Sequence, residues 1–174
     1  MFREEDFVIL HPDPIFAIIE VKTKIQNSKP DLVEIFKKAS ENGIKVLRNK
    51  KRPNHPIHFF NGVFSYDTEM NFDAVLDAFK NHWDAILNNP KIDTSRGMVE
   101  GTVTHMCLNQ SIYLKEVLHG FSAFTTKQQA PAYFISELFE YLNFDKLYGC
   151  DNWFAFPMGD GEIKGSIKLV QRSE

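Results

Sequence analysis

The sequence predicts one α/β domain in which a mixed central β-sheet is flanked by helices. The first observation is size, since 174 residues with 43% hydrophobic content suffice for a single domain with its own core. The second is order, because the segments follow one another as strand, strand, helix, strand, helix. The third is the sixteen phenylalanines, which make the predicted core unusually aromatic.

The N-terminal half is predicted to form a hairpin, a helix and a further strand. A helix over residues 28–42 follows from its apolar spacing, with Ser28 as the N-cap and Gly43 as the residue that ends it. A Pro/Asp turn at residues 11–14 separates the first two strands. The predicted strands span residues 6–10, 15–22 and 57–66, the last with a kink at Gly62.

The C-terminal half is predicted to contain two helices, a strand pair and a terminal hairpin. Residues 71–87 carry the clearest apolar stripe, and residues 131–142 carry a shorter one. The Phe residues of both stripes (72, 79, 134 and 139) are expected in the core. The remaining predicted elements are strands over 103–108 and 111–117, and a hairpin over 153–170 that turns at 159–161 and covers a sheet edge.

Charge and cysteine usage restrict the class of protein. A net charge of −3 argues against binding polyanions through the overall field, so contacts with nucleic acid would be local. Two cysteines, Cys107 and Cys150, provide no disulfide framework and are expected to be free thiols. The first residues lack the basic and apolar regions of a signal peptide, and no stretch of about 18 uninterrupted apolar residues occurs, so we expect a soluble, cytoplasmic protein.

Glu20 and Lys22 are the most informative residues of the chain. The apolar run over residues 15–22 predicts a buried central strand, on which Glu20 and Lys22 share one face. Burying two charges on such a strand costs several kcal/mol unless the charges pair or hold a metal. This cost marks the pair as a candidate site.

A second carboxylate would complete a metal site. Asp6 lies on the first strand of the predicted hairpin and could approach Glu20 to within about 5 Å. Two carboxylates and a backbone carbonyl form the oxygen-rich environment that Mg²⁺ prefers. Lys22 would position a water molecule or stabilise developing negative charge. These parts predict metal-dependent phosphodiester hydrolysis.

The segments that begin at Asp6 (D-F-V-I-L) and Ala17 (A-I-I-E-V-K-T) resemble the core of the PD-(D/E)xK nuclease superfamily. Residues 59–66 resemble the strand after the core helix in a prokaryotic branch of that superfamily. The resemblance covers residues 5–66 and implies a restriction-endonuclease-like fold, with residues 67–174 as a C-terminal elaboration of the same domain.

The resemblance also implies site residues and partners. Glu20 and Lys22 would be catalytic, Asp6 and Glu20 would bind Mg²⁺, and the substrate would be nucleic acid, with DNA the first expectation. A homodimer is implied as well, because enzymes of this type cut two strands. No membrane partner is expected.

The chain departs from the family pattern at its beginning. Glu5, not proline, precedes Asp6, and in this branch the acid lies on a strand upstream of D-F-V-I-L. The alternative is therefore an N-terminally truncated or degenerate relative that serves as a non-catalytic binding or assembly module. Both hypotheses stay open at the level of sequence.

Other polar residues give weaker signals. The dense basic patch of the chain is a candidate nucleic-acid contact, although a solvated loop rich in lysine and arginine is the more frequent explanation. His55 and His58 are too few to predict a zinc site. His105 and Cys107 share one face of a strand and are expected to pack in the core. The basic patch consists of Arg48, Lys50, Lys51 and Arg52.

Overall fold

The computed structural model describes residues 15–49, 59–89, 100–117, 120–143 and 164–168. These residues form three helices and a six-stranded mixed sheet, as the α/β prediction requires. The elements in chain order are β1 (Ala17–Ile25), α1 (Lys29–Arg48), β2 (Phe60–Thr68), α2 (Phe72–Leu87), β3 (His105–Leu108), β4 (Ile112–Val117), β5 (Gly120–Thr125), α3 (Ala130–Asn143) and β6 (Lys164–Lys168).

The sheet has a parallel half and an antiparallel half. Its strand order follows the chain from β1 to β6. β1, β2 and β3 pair in parallel, and β3 to β6 pair antiparallel. Neighbouring parallel strands need a crossover connection. The connection from β1 to β2 contains α1, and the connection from β2 to β3 contains α2.

Strand alternation divides the core between two faces of the sheet. On β2, Val63 packs into the cluster formed with α1 and α2, whereas Phe60 and Phe64 pack into the cluster formed with α3. The first cluster is aliphatic and aromatic and includes Trp83. The second is smaller and mostly aromatic. We refer to these as the α1/α2 face and the α3 face.

Gly43 does not end α1, so this part of the prediction is wrong. The helix continues to Arg48, and Gly43 is buried inside it. A Cβ atom at Gly43 would overlap the carbonyl oxygen of Gly101. Asn61 holds the same junction together, because its side-chain amide donates to the carbonyls of Ala39 and Gly101 at 2.9 and 2.8 Å. The glycine therefore permits close packing and does not terminate the helix.

Gly62 has a similar role on the α3 face. β2 runs through it without interruption, and Gly62 pairs with Ile19 on one side and His105 on the other. A Cβ atom at Gly62 would lie 2.5 Å from Cζ of Phe134 and 2.7 Å from Cε1 of Phe60. The absent side chain lets α3 pack its aromatic residues directly against the sheet.

The strongest sequence patterns are confirmed. α2 begins after Asn71, whose side chain accepts a hydrogen bond from the Ala74 amide at 2.8 Å. α1 begins after Ser28, which has the extended backbone of an N-cap but makes no side-chain capping bond. β3 and β4 form the predicted antiparallel pair, and α3 covers the predicted range. β5 was not predicted.

The placement of Phe139 in the core is wrong, since its side chain is 54% exposed on the outer side of α3. The first strand of the N-terminal hairpin lies outside the described residues, and so does the tail hairpin apart from β6. In the described ranges no helix combines the length and apolar character needed to cross a membrane.

Candidate functional site

Glu20 and Lys22 lie on one face of β1 and form an ion pair. Lys22 Nζ is 2.6 Å from Glu20 Oε1. The two side chains project to the α1/α2 face, because their ladder partners on β2 are Val63 and Ser65. The sequence-predicted pair is therefore brought together by alternation along a single strand.

The predicted burial of this pair is wrong. The side chains of Lys22 and Glu20 are 38% and 30% exposed. Within the described sheet, β1 pairs with β2 alone and lies at the margin, where helices cover a strand less completely than in the centre. Water can thus reach both charges, and the pair contributes about 1 kcal/mol or less to stability.

Lys24 forms a comparable pair two residues further along β1. Its ammonium lies 2.6 Å from Glu69 Oε1 and 3.7 Å from Asp67 Oδ2. The hydrogen bond from Lys24 lowers the pKa of Glu69, and the pKa of Lys24 is raised in return. This pair resembles the first in distance but lacks the E-x-K spacing, so it provides a matched control.

Of the two predicted Mg²⁺ ligands, the structure describes Glu20 alone. It supplies hard oxygen atoms on a water-accessible strand, and Mg²⁺ is usually bound by one or two carboxylates together with waters and substrate phosphates. Asp6, the predicted second ligand, lies outside the described residues. Among the residues that the structure describes, no group of three or more His, Cys, Asp or Glu side chains could hold a metal ion.

The predicted basic patch is described only at Arg48. This residue is exposed in the last turn of α1, and Lys50, Lys51 and Arg52 lie outside the described ranges. α1 connects two parallel strands, so it runs back toward the end of the sheet where those strands begin. Arg48, in the last turn of α1, therefore lies toward the end of the sheet where β1 and β2 begin.

A second polar cluster lies under α3, and the sequence analysis missed it. Lys115 on β4 and Glu137 on α3 form a hydrogen-bonded ion pair with an Nζ–Oε1 distance of 2.5 Å. The other carboxylate oxygen of Glu137 lies 3.7 Å from Nε2 of His105. The Glu137 and His105 side chains are 9% and 1% exposed, so this cluster is far drier than the pair on β1.

Aromatic rings enclose His105. It stacks on Phe60 with a centroid distance of 4.5 Å, and Tyr141 packs edge-on at 5.3 Å. Its Nδ1 lies 2.9 Å from the Thr104 hydroxyl. Burial lowers the pKa of His105, although Glu137 acts in the opposite direction. The imidazole is therefore neutral near pH 7.

Glu137 remains ionised in this cluster. Burial tends to raise its pKa, but the hydrogen bond from Lys115 and the nearby His105 ring outweigh that effect, and the pKa lies below its usual value. A charged, hydrogen-bonded carboxylate therefore fixes α3 to β3 and β4. Both nitrogens of His105 face protein groups, so the cluster has the properties of an internal tether between helix and sheet.

Cys107 is a buried thiol and packs with His105 on the α3 face, as predicted. Its Sγ donates to the Asn109 carbonyl at 3.3 Å, and burial raises its pKa to about 12. Such a thiol is protonated at neutral pH and is a poor nucleophile.

Ser40 and His82 form a buried hydrogen bond of 3.1 Å between α1 and α2. Ser40 also accepts from the Val103 amide at 3.1 Å. Burial lowers the pKa of His82 to about 4. These bonds join α1, α2 and the segment that contains Val103. Both side chains are only 3% exposed, so a substrate cannot reach them.

Two sequence signals could have indicated the α3 cluster. Lys115 interrupts the apolar strand I-Y-L, and Glu137 falls within the apolar stripe of α3. Each charge alone is compatible with an exposed position. Only the packing of α3 across β3 and β4 shows that the charges share one site.

Comparison with known proteins assigns no family. No protein-family model matches the chain, and no curated protein matches it.

Proposed function

We propose that this protein is a metal-dependent nuclease-like hydrolase that cleaves phosphodiester bonds of nucleic acid. The observation that carries the proposal is the Glu20–Lys22 pair, which places a carboxylate and an ammonium 2.6 Å apart on one accessible strand face. This strand leads directly into α1 and then into the parallel strand β2, an arrangement consistent with the restriction-endonuclease-like core.

In this proposal the two residues have distinct roles. Glu20 would hold Mg²⁺ through a carboxylate oxygen, with Asp6 as a further ligand. Mg²⁺ would polarise the scissile phosphate and lower the pKa of a bound water. Lys22 would orient the attacking water and stabilise negative charge on the phosphate oxygens. The proximity of Lys22 to Glu20 gives the ammonium access to any phosphate held there.

The expected substrate is DNA, and the expected location is the cytoplasm. With a net charge of −3, the chain would need local cations to contact a phosphate backbone. Arg48, exposed at the end of α1, is one such cation, and Lys50, Lys51 and Arg52 follow it in sequence.

A second candidate function is a non-catalytic binding or assembly module on the same fold. It is favoured by the ion pair itself, because Lys22 already neutralises Glu20 as Lys24 neutralises Glu69. If both ion pairs are only water-exposed charges at the margin of the sheet, neither has a catalytic role.

A cleavage assay separates the two candidates. The full chain is incubated with supercoiled plasmid and with single-stranded DNA in Mg²⁺, Mn²⁺ or EDTA. The nuclease proposal predicts cleavage that requires the metal, and a loss of at least about a hundredfold in rate for Glu20→Gln or Lys22→Met, as expected when a transition-state contact is removed.

Lys24→Met is the matched control. It removes a lysine from the same strand and breaks a pair of the same 2.6 Å length, so it should cleave at the wild-type rate. Thermal melts of all variants should agree within a few degrees, because the substituted side chains are partly exposed. Absence of cleavage by the wild type, or normal cleavage by Lys22→Met, would favour the non-catalytic module.

A further inference from the structure

Glu116 of β4 lies on the α1/α2 face of the sheet. The residues that share this face of the strand, Ile112 and Leu114, belong to the core of the α1/α2 face. The backbone amide of Glu116 donates to the Thr104 carbonyl at 2.8 Å, and Phe121 of β5 is its ladder partner. Glu116 is therefore held between two neighbouring segments in the interior of the sheet.

The two residues that flank Glu116 are buried, since Thr104 and Phe121 are 7% and 1% exposed. Phe121 also joins β5 to α2. Its ring centroid lies 4.6 Å from that of Phe79 and 5.1 Å from that of Trp83. The carboxyl of Glu116 thus sits beside the aromatic contact by which α2 rests on β5.

Glu116 lacks the cation that the buried Glu137 has. Lys115 pairs with Glu137 on the α3 face, whereas no lysine, arginine or histidine in the described ranges forms an ion pair with Glu116. A partly buried carboxyl without such a partner is less costly in its uncharged form. Accordingly, burial raises the pKa of Glu116 to about 7, whereas the pKa of Glu137 lies below its usual value.

The other titratable groups around Glu116 that the structure describes supply no cation near neutral pH. On α2, burial keeps His82 neutral by lowering its pKa to about 4. On β3, His105 faces α3, and β5 has no ionisable side chain. Tyr141 packs on the other face, and burial and then Glu116 raise its pKa. His119 lies outside the described residues.

We propose that Glu116 is a proton switch in the fold: its carboxyl is uncharged while α2 rests on β5, and its ionisation loosens that contact. A carboxylate at this position has no cation to replace its water, so ionisation draws water between β4 and α2. Because the folded state raises the pKa of Glu116, its contribution to stability is complete in mild acid and is lost as the pH rises through about 7.

Carbon-13 NMR of the full chain measures this titration directly. The side-chain carboxyl resonance of Glu116 is the signal that Glu116→Gln lacks, and its midpoint should lie near pH 7. If the variant does not fold, assignment through the backbone of the wild type identifies the same resonance. A midpoint below pH 5 would overturn the proposal.

Urea denaturation measures the effect on stability. From pH 5 to pH 8 the unfolding equilibrium constant of the wild type should rise roughly seventyfold relative to that of Glu116→Gln. Groups such as His82 titrate in both proteins and cancel in this comparison. Glu41→Gln removes an exposed carboxyl of α1, so this matched control should follow the wild type. The same pH dependence in the wild type and Glu116→Gln would reject the switch.

Trp83 reports on the contact between α2 and β5. In a Trp153→Phe background it is the remaining tryptophan of the chain. Its emission should move to longer wavelength as the pH rises through 7, because water then reaches an indole that is otherwise 2% exposed. The same background with Glu116→Gln should show no such shift. Constant emission while Glu116 ionises would show that the contact does not loosen, and the proposal would be wrong.

Discussion

The two faces of the sheet place their charges in opposite ways. On the α1/α2 face the two helices expose their charges, which is the usual arrangement for a domain in water. One partly buried carboxyl on this face belongs to Glu116 of β4, and burial raises its pKa to about 7. On the α3 face the charges lie inside, in the Lys115–Glu137–His105 cluster, and the outer side of the helix is apolar. The two faces therefore differ in whether their helices expose or bury their charged residues.

Two of the short Lys–Glu pairs, one on each face, differ in the same way. Their N–O distances are nearly equal, 2.6 Å for Lys22–Glu20 and 2.5 Å for Lys115–Glu137. Only the second includes a carboxylate that is almost completely buried. Distance therefore says little about the contribution of a pair to stability, and burial decides it.

Gly43 and Gly62 allow the sharpest test of how each face is packed. Gly43→Ala should lower the free energy of unfolding by about 3 kcal/mol or more, the upper end of overpacking costs, since the new Cβ would meet a backbone oxygen. Gly62→Ala should cost about 2 kcal/mol, because aromatic rings can shift slightly where backbone cannot. Urea denaturation of both variants measures the difference.

Helix propensity alone would make Gly43→Ala stabilising by about 1 kcal/mol. A stabilised Gly43→Ala protein would therefore contradict the close approach of the Gly101 carbonyl to α1. A larger loss for Gly62→Ala than for Gly43→Ala would reverse the expected order of rigidity between the two faces.

Removing one lysine from each pair tests the contrast between buried and exposed charge. Lys115→Met should cost about 3 kcal/mol, because it leaves the buried Glu137 carboxylate without its cation. Lys22→Met should cost less than about 1 kcal/mol, because water can solvate Glu20. Equal losses in urea denaturation at neutral pH would show that burial does not separate the two pairs.

The elements with a regular apolar period could be predicted from the sequence. Residues 71–87 form α2 because their stripe repeats with the helical period over four turns, and Asn71 caps it. β1 was found for a similar reason, since its alternation assigns Glu20 and Lys22 to one face. Both elements depend on residues that are close in sequence, so the spacing of those residues is sufficient to predict them.

Features that depend on distant segments could not be predicted. Gly43 was expected to end α1 because the sequence does not show the carbonyl of Gly101 that packs against it. The helical spacing of apolar residues predicts Phe139 in the core, but this spacing does not show how much of the helix surface the sheet covers. The Lys115–Glu137 contact joins a strand to a helix 22 residues away, and only their packing brings the charges together.

Isothermal titration calorimetry with Mn²⁺ decides whether Glu20 binds a divalent cation, as the proposed hydrolysis requires. The wild type should bind, Glu20→Gln should not, and Glu69→Gln should bind normally because that carboxylate belongs to the control pair. Lys22→Met should bind at least as tightly, since the competing ammonium is gone. Unchanged binding by Glu20→Gln, or no binding by the wild type, would contradict the claim.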